Sequence, residues 1–203
     1  MTQRKQYDVE LAHYDILART YATDAFQFAG CSKILDINPW ETDDWKADLK
    51  VKFADADADV WYRFEVEIKE SSIDWTLEKC KNYYCPFPRA TVQVLGRKID
   101  FSYEVSKKGT QQHPPDYFIL FNKEGTLGAW IAYKDAANAS WRYAKCKGKA
   151  KENIERLYEV PRDKVLWLKK ENNVWEYGKD KNRDDNQKIK WRKFKLQKEA
   201  HNV

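Results

Sequence analysis

The sequence predicts a single α/β (α+β) domain with a mixed central β-sheet flanked by helices, plus a β-rich C-terminal extension. Three observations predict it. An apolar stripe at helical spacing opens the chain. Two stretches of strict period-two alternation surround an Asp-rich turn. Short strand-like runs, punctuated by turn residues, then recur to the C-terminus. The 203 residues are the length of one domain and enough to bury a core without cross-links.

The elements follow in order. Residues 5–22 place Tyr7, Leu11, Tyr14, Leu17, Ala18 and Tyr21 on one stripe, which predicts a helix. Residues 32–45 begin as a short apolar piece and break into a loop at Asn38-Pro39 and Asp43-Asp44. In 48–53, Leu49, Val51 and Phe53 alternate with Asp48, Lys50 and Lys52. In 60–69, Val60, Tyr62, Phe64, Val66 and Ile68 alternate with Arg63, Glu65, Glu67 and Lys69. Both are strands, and Asp55-Ala-Asp-Ala-Asp59 between them is a turn, so 48–69 is a β-hairpin. A short helix is expected within 71–84, and strands at 90–95, 99–105, 116–122 and 127–133. Either 135–146 or 149–158 is expected to be helical, and strands at 165–169, 174–177 and 189–196 close the chain. The core is expected at about 5–135 and the extension at about 136–203, with no linker or internal repeat.

Composition narrows the classes. At 42% hydrophobic and 15% aromatic, the chain is not of disordered type. No apolar run approaches the roughly 20 residues of a membrane-spanning helix, and the first residues do not read as a secretory signal. A soluble, cytoplasmic protein without a membrane partner is therefore expected. Cys31, Cys80, Cys85 and Cys146 lack paired zinc spacing and are expected as free thiols. The net charge is +5, and all of it is accounted for by the nine basic and four acidic residues of 179–203. Such a segment suits a polyanion, and Lys190, Arg192, Lys193 and Lys195 are candidates for nucleic-acid phosphate contact. An edge strand whose charges discourage aggregation explains the same residues equally. Asp55-x-Asp57-x-Asp59 fails as a calcium loop, because Val60 and Val66 stand where Gly and Glu are needed. His113 lies in a loop by itself, and no serine-hydrolase, phosphate-loop or dinucleotide motif is present.

The hairpin carries the chemistry. With its turn centred near Asp57, pairing places Asp48 opposite Glu67 or one position from it, and Lys69 shares the face of Glu67. Two neighbouring carboxylates repel unless a positive charge intervenes. Lys69 is one such charge. A divalent cation is another, and oxygen ligands of this kind suit Mg²⁺. The competing explanation is an ordinary cross-strand ion pair on a surface strand.

Asp48 at the head of one strand and Glu67-Ile68-Lys69 at the end of the next, within FEVEIKES, resemble the PD-(D/E)xK (restriction-endonuclease-like) nuclease superfamily. That family's core is a helix, a three-stranded antiparallel meander, a second helix and a further strand. The resemblance covers roughly residues 5–135. It implies a Mg²⁺-dependent phosphodiesterase acting on DNA, with Mn²⁺ able to substitute. Asp48, Glu67 and the carbonyl of Ile68 would hold the metal, and Lys69 would position the attacking water. Glu10 matches the acidic residue that many members carry on the first helix. The family's Pro is missing before Asp48, where Ala47 stands, so Asp44 is a second candidate for the first acid. The literal Pro115-Asp116 is a decoy, because Ala132 stands two residues before Lys134. The alternative function is a non-catalytic nucleic-acid-binding protein of the same fold, and a third is an interaction protein whose hairpin is merely ion-paired. DNA is the expected partner, and a homodimer is compatible with the chain.

Overall fold

The computed structural model describes residues 3–36, 47–54, 60–69, 75–80, 87, 89–99, 114–146, 153–180 and 189–194. Helix α1 (Gln3–Phe28) runs six residues beyond the predicted stripe. Ala18, Ala22, Ala25 and Phe26 form its buried face, with Tyr14, Leu17 and Tyr21 packed alongside. The three alanines let the helix axis lie close to the sheet. Gly30, at φ +79°, takes the left-handed conformation that ends the helix. The chain then enters β1 (Cys31–Asp36), the short apolar piece that the sequence predicts to break into a loop. It forms a strand because it pairs antiparallel with β2 (Leu49–Phe53).

β2 pairs antiparallel with β3 (Tyr62–Ile68), so the predicted hairpin is present and β1–β2–β3 is an antiparallel meander. The Asp-rich turn at 55–59 lies outside the described residues. Helix α2 is one turn, Leu77–Cys80. β4 (Thr91–Leu95) leads into the 3-10 turn η1 (Gly96–Lys98). The strand predicted at 99–105 lies beyond Ile99 outside the described residues. β5 (Tyr117–Phe121) returns beside β3 and parallel to it, and β6 (Leu127–Ala132) pairs antiparallel with β5.

The helix expected in 135–146 or 149–158 gives way to strands among the described residues. There α3 (Tyr133–Ala137) is the one helical stretch, and β7 (Ser140–Cys146) and β8 (Asn153–Pro161) follow as an antiparallel pair. The physical reason is alternation: Trp141 and Tyr143 are two apart, as are Tyr158 and Val160, and sheet pairing overrides the helix propensity of the neighbouring Ala, Glu, Arg and Leu. β9 (Leu166–Glu171) and β10 (Val174–Lys179) form a hairpin through Asn172 and Asn173, both at positive φ, as a two-residue turn requires. β11 (Arg192–Lys193) is shorter than predicted and ends the sheet.

The result is a mixed α+β fold dominated by sheet. Among the described residues the main sheet has eight strands in the order β1-β2-β3-β5-β6-β9-β10-β11, and a second sheet has the order β4-β8-β7. The chain after residue 136 is therefore woven into both sheets. One face of the main sheet packs on α1 through Leu49, Val51, Phe64, Val66, Ile119 and Phe121. Helices do not cover the opposite face alone. There Phe118, Leu120, Ala129, Ile131 and Trp167 share a core with Val92 and Val94 of β4 and Tyr158 and Val160 of β8. Among the described residues no helix is long and apolar enough to cross a membrane.

Candidate active site

The hairpin register differs from the predicted one. Leu49 pairs with Phe64 and Val51 with Tyr62, which sets Asp48 across from Glu65 rather than at or next to Glu67. The paired positions are symmetric about 56.5, half a residue before the predicted centre at 57, and this moves the position opposite Asp48 from Val66 to Glu65. Glu67 is the next residue along the same face of β3. The structure thus aligns three carboxylates, Asp48, Glu65 and Glu67, along one seam.

Asp48 is held from several sides. Its N–H donates to the Phe64 carbonyl at 2.7 Å, and its Oδ2 accepts the Val66 N–H at 2.7 Å. Arg19 of α1 donates to Oδ1 at 2.8 Å and to the Asp48 carbonyl at 2.6 Å. The carboxylate therefore caps the β3 edge at the point where β2 stops. Lys69 N–H donates to the Phe121 carbonyl of β5, so the backbone groups of odd-numbered β3 residues serve β5. Backbone groups alternate sides along a strand, so the Ile68 carbonyl points toward the Asp48 side, as Val66 does.

The glutamates face the second sheet and meet its cations. Lys98, delivered by η1, bridges Glu65 at 2.7 Å and Glu67 at 2.6 Å. Burial opposes its charge, but the two glutamates outweigh burial and hold the ammonium above its ordinary pKa. Lys69 Nζ donates to the Gln93 carbonyl of β4 at 2.7 Å. For Asp48 the balance runs the other way. Burial, reinforced by the Glu65 charge, pushes its carboxyl up to about 7, against the Val66 N–H and Arg19, which favour the ionised form.

The remaining candidates are more dispersed. Glu10 lies in α1, nine residues before Arg19 and so roughly 14 Å from it along the axis. Its side chain is outside the described residues, as is all of Asp44. The helix carboxylate that the structure does bring to the seam is Asp15, bound to Arg19 at 3.2 Å. Asp116 accepts the Arg63 N–H at 2.7 Å and caps the start of β3. Lys190, Arg192 and Lys193 are exposed on the segment around β11. That strand is five places from β3 in the sheet, roughly 24 Å at ordinary strand spacing. Lys195 and His113 lie outside the described residues. Cys31 is a free thiol, and burial raises its pKa.

Sequence reasoning missed Glu65, Lys98 and Arg19. Glu65 was detectable, since it shares the Glu67 face and the Leu49–Phe64 apolar pair sets the register. Lys98 carries no local signal, because its place depends on η1 crossing from the second sheet. Arg19 stands four residues after Asp15, ordinary spacing for a helical ion pair.

Chemically, the seam offers oxygen donors of the type a hard divalent cation takes, and an Asp48 carboxyl that a nearby cation would return to its ionised form. In this arrangement the ammonium of Lys98 already bridges two of those donors, and among the described residues no three His, Cys, Asp or Glu side chains gather as a metal cage. The donors fit the cation in kind, and its entry requires Lys98 to release the bridge. Comparisons with protein-family models, curated proteins and solved structures found no match.

Proposed function

We propose that this chain is a soluble, cytoplasmic, divalent-metal-dependent nuclease of the PD-(D/E)xK type that hydrolyses DNA phosphodiester bonds. The observation that carries the reading is the carboxylate seam: Asp48 fixed by the Val66 N–H across from Glu65, with Glu67 next on the same face. The order of elements supports it. α1, the β1–β2–β3 meander, the single turn α2 and β5 parallel to β3 occur in the order of the superfamily's core, with β4 and η1 of the second sheet inserted between α2 and β5. Asp48, Glu65 and Glu67, with the Ile68 carbonyl, would hold Mg²⁺ or Mn²⁺. A bound divalent cation supplies a water of lowered pKa and charge to offset the phosphate oxygens. Lys69 and Lys98, the lysines at the seam, would orient that water and stabilise developing negative charge. The test is cleavage of labelled linear and circular DNA with Mg²⁺, with Mn²⁺ and with EDTA, comparing wild type with Glu67→Ala. Metal-dependent cutting lost in the variant supports the reading, and absence of cutting by wild type removes it.

One observation favours a second reading, a non-catalytic nucleic-acid-binding protein of the same fold. Arg19 on Asp48 and Lys98 on both glutamates offset much of the seam's charge from within the chain. Salt-dependent DNA binding without metal-dependent cleavage would identify it.

A further inference from the structure

The cation that bridges the glutamates comes from outside the main sheet. Lys98 is the last residue of η1, and its Nζ lies 2.7 Å from Glu65 Oε1 and 2.6 Å from Glu67 Oε2. The two glutamates are neighbours on one face of β3, roughly 7 Å apart along the strand. One ammonium between them therefore stands where an ion binding both carboxylates would stand. Two such carboxylates need a cation beside them. Lys98 supplies it from within the chain, whether or not a metal is present.

The backbone under Lys98 is held on both sides. Leu95 closes the β4–β8 ladder opposite Leu157. The Ile99 N–H donates to the Gly96 carbonyl at 2.8 Å, Ile99 is buried, and its carbonyl accepts from the Tyr133 hydroxyl at 2.8 Å. An exchange of ions at the seam thus moves the Lys98 side chain and leaves the turn in place. Lysine suits an exchange of this kind. Its ammonium is a point charge on a flexible four-carbon stem, whereas arginine grips carboxylates with a rigid fork.

We propose that Lys98 is a tethered counter-ion that fills the seam of the metal-free protein and is displaced from Glu65 and Glu67 when a divalent cation binds. The proposal deepens the nuclease reading and rests on it for the identity of the incoming ion. A metal has to outcompete an ammonium that cannot diffuse away, so the site stays closed to weakly binding cations. The same substitution then acts with opposite signs. Loss of Lys98 weakens the metal-free fold and tightens metal binding, whereas a purely structural ion pair predicts only the first effect.

Calorimetric titration of Mn²⁺ into the full chain, at fixed pH and ionic strength, compares wild type, Lys98→Met and Lys98→Arg. Lys98→Met binds Mn²⁺ about ten-fold tighter or more, because a competing charge next to the ligand oxygens is gone. Lys98→Arg keeps that charge and binds no tighter than wild type. A second measurement needs no variant. Wild type is acetylated with sulfo-N-hydroxysuccinimide acetate, with and without saturating Mn²⁺, and each lysine is followed by peptide mass spectrometry. Mn²⁺ speeds the labelling of Lys98 several-fold and leaves that of exposed Lys164 unchanged. Equal or weaker Mn²⁺ binding by Lys98→Met, equally tightened binding by Lys98→Arg, or Lys98 labelling indifferent to Mn²⁺ overturns the proposal. Tighter binding by Lys98→Met and metal-dependent labelling, without DNA cleavage, keep the counter-ion and remove the nuclease. Metal-dependent cleavage with equal Mn²⁺ affinity in wild type and Lys98→Met does the reverse. Absence of Mn²⁺ binding from all three proteins removes both.

Discussion

Asn122 and Asp48 each plug a gap in the main sheet by accepting backbone N–H groups, yet their surroundings differ in kind. Asn122, 1% exposed, follows β5 and stitches the turn into β6. Its Oδ1 accepts the N–H groups of Thr126 and Leu127, both at 2.9 Å. Its Nδ2 donates to the Trp75 carbonyl, Glu124 and Thr126. The amide is neutral and its bonding capacity is filled within the chain. Asp48 brings a titratable carboxyl into a largely buried seam beside Glu65, where burial and Glu65 oppose its charge and the Val66 N–H and Arg19 favour it. The first arrangement serves only the fold. The second burdens the fold, and electrostatic burdens of that kind concentrate at sites with chemistry to perform.

The largest expected effects separate the two residues by function. On the proposed function, Asp48→Ala and Glu67→Ala lower metal-dependent DNA cleavage by about a hundred-fold or more, since each would remove a proposed ligand oxygen. Asn122→Ala leaves turnover per folded molecule near wild type. Its effect falls on stability: stranding the buried Leu127 N–H, the half-buried Thr126 N–H and the Trp75 carbonyl costs about 2–4 kcal/mol in urea unfolding. A loss no larger than that of an exposed substitution would erase the contrast.

The next test is pH. The folded Asp48 carboxyl titrates at about 7 and the unfolded one near 3.8, so between these values the folded state binds more protons. Stability therefore falls as pH rises through that window. Asp48→Asn removes this contribution and flattens the melting temperature between about pH 4 and pH 7 relative to wild type. An unchanged slope would show that the carboxyl is not burdened.

A smaller effect is expected at Lys98. Lys98→Met leaves Glu65 and Glu67 without their bridging ammonium and lowers stability by about 1–3 kcal/mol at neutral pH. Millimolar Mg²⁺ recovers part of the loss by binding the folded state. Recovery by Na⁺ at equal ionic strength would instead indicate screening alone. Arg192→Ala, on exposed β11, changes stability by less than about 0.5 kcal/mol.

Alternation made much of this fold legible. Leu49, Val51, Phe64, Val66 and Ile68 face one core, so the hairpin and its polar face follow from period two. Two features resisted reading for identifiable reasons. β1 is a strand by virtue of its pairing with β2, and its own pattern of burial is irregular. The β7–β8 segment holds good helix formers, while its aromatic alternation gains value only against a partner strand. At the site, the carboxylates were visible and their register was not, because a shift of half a residue in the hairpin centre, from 57 to 56.5, moves the partner of Asp48 by one position. Lys98 reaches the seam through the packing of one sheet on another, which no local spacing encodes.

The claim at the centre of the account is that the seam holds a divalent cation. Calorimetric titration of Mn²⁺ into the full chain tests it directly, beside Asp48→Asn and Glu67→Gln. The account predicts saturable binding by wild type that is lost or strongly weakened in both variants. Binding absent from wild type, or equally strong in the variants, would contradict it.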